Sequence, residues 1–102
     1  MNRTVSEILE GMRDSYRGKT FSEISSLGWI DQVPVKIGWK KYYPSIWSER
    51  YGGDSAILVV QLTKWHIPKF FGTTDCIGFI KSKNGDIEDV DAYWLMHEIG
   101  HP

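Results

Sequence analysis

The chain has 102 residues, a length that fits one domain able to bury roughly 60 to 68% of its unfolded surface. Hydrophobic residues at 41% and charged residues at 25% exclude a disordered chain. A single cysteine, Cys76, excludes a disulfide framework and an all-cysteine zinc site, and no apolar run approaches the ~20 residues of a membrane-crossing helix. The net charge of -1 conceals a segregation: between Lys36 and Lys69 six Lys or Arg face two acids, a net of +4, and from Asp75 onward six acids face Lys81 and Lys83, a net of -4. Such patterning bears on partners and association rates more than on fold. The amino-terminal segment carries charges throughout and lacks the apolar core of a signal peptide, so a cytoplasmic location in a reducing compartment is the expectation.

Thr4-Val5-Ser6-Glu7 reads as a capping box, and Val5, Ile8, Leu9, Met12 and Tyr16 then share one helical face up to Gly18. A first helix is predicted near residues 4 to 17. Thr20-Phe21-Ser22-Glu23 repeats the pattern, with Phe21, Ile24 and Leu27 on one side and Gly28 as terminator, which predicts a short second helix. From Val33 the period becomes two, with Val33, Val35, Ile37 and Trp39 on one side, and Pro34 places that strand at a sheet edge. The segment from about 43 to 54 has a proline, two glycines and no period, and is predicted as a long loop. Ser55 to Thr63 is a nearly continuous β-branched apolar run, the pattern of a central strand.

After a loop around residues 67 to 75 come two strands, 76 to 81 and 86 to about 94, joined at Asn84-Gly85. Asn-Gly signals a two-residue type I′ turn, which pairs Lys81 with Glu88, Phe79 with Val90 and Ile77 with Ala92. The predicted architecture is a single α+β domain over 1–102: two N-terminal helices packed on a four-stranded, mostly antiparallel sheet, in the order α-α-β-β-β-β.

His97-Glu98-Ile99-Gly100-His101 matches H-E-x-x-H, in which two histidines on one helical face bind zinc and the glutamate serves as general base. Its context argues against that chemistry: His101 precedes Pro102, Gly100 lies between the two histidines, and no third ligand follows in the sequence. Ala92, Leu95, Met96 and Ile99 do have helical spacing, which competes with the strand reading. The expectation is no cofactor and no catalytic residue, with zinc on His97 and His101, and Glu98 as base of a hydrolase, as the alternative.

Trp39, Lys40, Lys41, Tyr43 and Trp47 form an aromatic and basic stretch of the kind that binds single-stranded nucleic acid, although the chain as a whole is not basic. Asp86, Glu88, Asp89 and Asp91 form an acidic cluster suited either to a solvated strand edge or to a basic partner surface. Cys76 reads as a buried filler rather than a nucleophile. The leading expectation is a small cytosolic, non-catalytic protein-binding module, with a bacterial immunity or antitoxin protein that blocks a toxin's basic active site as its concrete form. The expected contacts are Trp47, Tyr51, Trp65, Asp86, Glu88, Asp89 and Asp91.

Overall fold

The computed structural model describes residues 4–38, 40–65 and 72–95, with Trp65 and Ala92 described by backbone alone. Both capping threonines start helices. The first helix, α1, runs Val5–Asp14, and the Glu7 N–H donates to Thr4 Oγ1 at 3.2 Å. The second, α2, runs Phe21–Ser25 with a reciprocal box: the Glu23 N–H donates to Thr20 Oγ1 at 3.1 Å, and the Thr20 N–H to Glu23 Oε1 at 2.9 Å. That backbone donor, then the Thr20 hydroxyl, holds the Glu23 carboxyl below its ordinary value.

Helix α1 ends at Asp14 rather than near 17, because the N–H groups of Tyr16, Arg17 and Lys19 turn to carbonyls three residues back. The carbonyl oxygens of Arg17 and Lys19 are then met from the sheet, where Lys81 Nζ donates to them at 2.9 and 2.6 Å. One ammonium therefore closes the helix-to-helix connection onto the sheet. Replacing Lys81 with methionine keeps the stem and removes both bonds, and should lower the unfolding free energy by about 1 to 3 kcal/mol, read from urea denaturation. An unchanged midpoint would mean that water satisfies the two carbonyls equally well.

Six strands follow: β1 (Trp29–Asp31), β2 (Val35–Ile37), β3 (Lys40–Tyr51), β4 (Ser55–Trp65), β5 (Gly72–Ser82) and β6 (Ile87–Val90), then one helical turn, α3 (Ala92–Trp94). All pairings are antiparallel, in the order β1-β3-β4-β5-β6, with β2 also paired to β3. The α+β class and the antiparallel sheet are as expected; among the described residues the sheet has six strands rather than four.

Three differences from the expected layout have identifiable causes. The segment from 43 to 54 is largely strand, with β3 continuing to Tyr51 before a turn at Gly52, whose φ is +70°. Its period was hidden because both sides of β3 meet apolar layers: Tyr42 and Ile46 face the helices, while Trp47 and Tyr51 face the other side.

The edge strand is broken. Asp31 pairs with Ser45 and Val35 with Tyr42, so three residues on the edge oppose two on β3, a bulge. The bulge reverses the alternation, letting Val35 face the helices while Trp29 and Asp31 face away. Prolines 34 and 44 both sit at this interruption, and the Pro44 carbonyl accepts from the Gln32 N–H at 3.0 Å.

The third difference is a register shift. Phe79 pairs with Asp89, Gly78 with Val90 and Lys81 with Ile87, one residue away from the expected pairs. Only Gly85 has positive φ, at +97°, so the connection is not type I′. The Gly85 N–H bonds Ser82 O at 3.0 Å and the Ser82 N–H bonds Asp86 O at 2.9 Å, which describes a three-residue loop with glycine in the bulge position. Asn84 Oδ1 accepts from the Asp86 N–H at 3.1 Å and from the Ser82 hydroxyl, fixing Asn84 in the turn. Strand β6 ends at Val90, and the helical spacing of Ala92 and Leu95 then prevails over the strand reading, with the Leu95 N–H bonding Asp91 O at 3.0 Å.

Strand β4 lies at the centre and feeds two apolar layers. Leu58, Val60 and Leu62 join Leu9, Ile24, Ile46 and Phe79 beneath the helices. Ile57 and Val59 join Cys76, Val90 and Leu95 on the opposite face, with Trp47, Tyr51, Ile80 and Trp94 packed against them. Among the described residues no helix is long and apolar enough to cross a membrane.

Candidate binding face

Residues paired directly across antiparallel strands share a face, so the registers define rows across the side of the sheet away from the helices. One row is Trp29, Trp47, Val59 and Gly78; the next is Asp31, Ser45, Gln61 and Cys76; the third is Tyr43, Thr63 and Thr74. Leu95 and Trp94 cover the half of this face that includes Val59, where Trp94 meets Tyr51 edge-on at a centroid distance of 5.7 Å. No described residue covers the other half. It forms a groove of about 510 Å³ bounded by Trp29, Asp31, Tyr43, Gln61, Thr63 and Thr74, with Pro44, Ser45 and Gln32 completing its lining.

The groove exists because small Ser45 lies in its row between Asp31 and Gln61 and along β3 between Tyr43 and Trp47. Ser45 and Gln61 make the floor, both buried. Gln61 is 7% exposed, and its Oε1 accepts no hydrogen bond among the described residues. A buried carbonyl left without a donor carries a desolvation cost of about 1 to 3 kcal/mol. Trp29 Nε1 donates to Asp31 Oδ1 at 2.8 Å, which orients both side chains at the rim. The Thr63 and Thr74 hydroxyls bond each other at 3.1 Å. On the far side of β1, a second groove, lined by Ile8, Met12, Val33 and Val35, separates α1 from the sheet edge.

The expected contact residues are distributed rather than assembled. Trp47 and Tyr51 are half-buried against the second apolar layer. Asp89 is gripped by Arg17, whose Nη2 reaches both carboxylate oxygens at 2.7 and 2.8 Å while its Nε reaches Asp14 at 2.8 Å. Asp89, then Asp14, raises the pKa of Arg17, and Arg17, then Arg13, holds Asp14 below its ordinary value. Asp91 Oδ1 accepts from the Trp94 N–H at 2.9 Å, starting α3. Asp86 lies in the hairpin turn and Glu88 on the face opposite Asp89; both are exposed. The Trp65 side chain, Trp39, and the His97, Glu98 and His101 motif lie outside what the structure describes.

Of the aromatic and basic stretch, Lys41, Tyr43 and Trp47 share the open face, with the Lys41 ammonium 5.7 Å from the Tyr43 ring centroid. Lys40 belongs to the other side, and the neighbouring Lys40 pushes the Lys64 ammonium below its ordinary value. Cys76 is buried, and burial pushes its thiol up, so it is a poor nucleophile.

No family model, no curated protein and no solved structure matches this chain. The assignment of a site therefore rests on geometry alone. Trp29, Asp31 and Gln61 escaped the sequence reading, although one signal was present: a glutamine inside the most apolar run of the chain, where only a satisfied or functional amide belongs.

Proposed function

We propose that this protein is a small non-catalytic protein-binding module that docks its partner on the open half of the sheet and along the β1 edge. The observation that carries this reading is the grouping of Trp29, Val33 and Tyr43, which are 58%, 82% and 39% exposed, around the interrupted edge strand with a groove on each side. Exposed aromatic anchors beside pockets are the usual centres of protein interfaces. In its finer form, the partner is a toxin with a basic active site, and the chain acts as an immunity or antitoxin protein in the cytoplasm; Asp31 in the groove, with Asp86 and Glu88 at the far edge, supports a basic partner. The same Asp31 carboxylate works against a phosphate backbone in that groove.

The test is affinity capture from the organism that encodes the chain, comparing wild type with Trp29→Ala. Wild type should retain one stoichiometric partner, and Trp29→Ala should bind it about 30-fold more weakly, as removal of a hot-spot anchor worth ~2 kcal/mol requires. Equal retention by the variant, or no stoichiometric partner for wild type, would reject the reading.

A further inference from the structure

We propose that the β1 edge is a receptor for one added strand: an extended segment of the protein partner that pairs antiparallel with Trp29–Asp31 and sets a lysine or arginine opposite Asp31. This rests on the protein-binding reading and assigns the mode of contact and the chemistry of the partner.

In an antiparallel pair the N–H and C=O of one residue point to the same side, and consecutive residues point to opposite sides. The Ser48 N–H donates to Gly28 O and the Gln32 N–H to Pro44 O, both at 3.0 Å, so Gly28, Ile30 and Gln32 are the residues whose backbone groups turn toward β3. Trp29 and Asp31 therefore turn their N–H and C=O groups outward, and none of the four has a hydrogen-bond partner among the described residues. Two outward residues separated by one inward residue offer an added antiparallel strand four backbone bonds. The bulge at residues 32 to 34, with Pro34 inside it, interrupts the edge after Asp31, which confines the guest to one short strand and blocks open-ended stacking.

Charge selects the guest. On the opposite edge of the sheet the Ser82 N–H bond to Asp86 O fixes the same parity, so β6 turns Ile87 and Asp89 outward, but the Asp89 carboxylate already has its cation in Arg17. Asp31 has one carboxylate oxygen engaged by Trp29 Nε1 at 2.8 Å and a negative charge with no ion pair among the described residues. A lysine or arginine directly across from it answers that charge, since opposed side chains of an antiparallel pair share a face. The residues on either side of this cation then fall on the helix side, along the groove of about 680 Å³ lined by Ile8, Met12, Val33 and Val35, which suits apolar side chains. The guest therefore alternates apolar and basic residues. A second copy of the chain fits less well, because self-pairing of β1 sets Leu27, Trp29 or Asp31 opposite Asp31, and none of these is a cation.

The experiment is amide hydrogen exchange with a strand selected on the protein itself. A display library of random, proline-free heptapeptides is selected against wild type and, in parallel, against Asp31→Lys, and the selected peptides are synthesised. Wild type should select alternating apolar and Lys or Arg residues, and Asp31→Lys should select Asp or Glu at the basic position. Asp31 is exposed, so the charge reversal leaves the fold intact. In the free ¹⁵N-labelled protein the Trp29 and Asp31 amides should exchange fast on either side of a protected Ile30. Saturating peptide should slow both by roughly tenfold or more. Asp31→Asn, which keeps an acceptor for Trp29, should weaken the peptide selected on wild type by about two- to fivefold, the worth of an exposed cross-strand ion pair. No selected peptide, the same charge preference in both selections, or a bound peptide that leaves the Trp29 and Asp31 amides fast would overturn the proposal. Protection of those amides that rises with protein concentration alone would overturn it in favour of a second copy. A partner retained by wild type and lost by Trp29→Ala, with these two amides still fast in its complex, would remove strand addition and leave the protein-binding reading in place.

Discussion

Replacing Gly78 with alanine should lower the unfolding free energy by about 3 kcal/mol and the melting temperature by roughly 15 °C, the largest effect expected of so small a change. A methyl group at this position would lie 2.2 Å from the Leu58 carbonyl oxygen and 3.2 Å from both Leu58 C and Val59 Cα. These are backbone atoms, so no rotamer change relieves the clash. They belong to β4, which has strands on both sides and apolar layers on both faces, so moving them disturbs the whole sheet. Gly78 itself pairs with Val59 on one side and Val90 on the other. Thermal unfolding followed by circular dichroism measures the effect, and a melting point within a few degrees of wild type would show that β5 yields where the packing says it cannot.

The neighbouring residue should fail for the opposite reason. Phe79 is fully buried beneath the helices, opposite Leu58, and Phe79→Ala should cost about 3 to 5 kcal/mol by opening a cavity in a layer that cannot close around it. Ile24 and Leu9 pack into that layer from the two helices, and the Arg17 guanidinium lies 5.9 Å from the ring centroid. Arg17 also grips Asp89, which the observed register places directly across from Phe79. The ring therefore supports both the core and the ion pair above it. Urea denaturation should show a lower midpoint with an unchanged slope; a loss below about 1 kcal/mol would mean that the helices settle into the space. Because Gly78 and Phe79 point to opposite faces, one substitution overfills the sheet and the other empties it.

The candidate binding face was less legible than the core. Acidic residues 86, 88, 89 and 91 look like one surface in the sequence, but the fold spends Asp89 on Arg17 and Asp91 on the start of α3, leaving Asp86 and Glu88 apart. Asp31 and Gln61 lie 30 positions apart in the chain and share a row only because β3 aligns Ser45 between them. No local pattern encodes such a row. It is set by the bulge at residues 32 to 34, which turns Trp29 and Asp31 to the open side and sends Val35 to the core.

The amino-acid sequence by itself determined the features that depend on near neighbours. The two threonine caps fixed where the helices begin, because a cap is satisfied within three residues. The run Ser55 to Thr63 had to be the central strand, since only burial on both sides suits so many β-branched groups. The hairpin at Asn84-Gly85 was also encoded locally, but its register was not. Two loop geometries accept the same dipeptide, and the choice between them was made by contacts across the sheet: Val90 joins the layer under Leu95, and Asp89 reaches Arg17. Strand β3 was decided in the same way, since its serines, Pro44 and aromatic residues show no period until two different apolar layers claim alternate sides. Local hydrogen bonding is complete within a few residues and can be read in order; the register and the groove are minimised over strands far apart in the chain, and only the folded sheet brings them together.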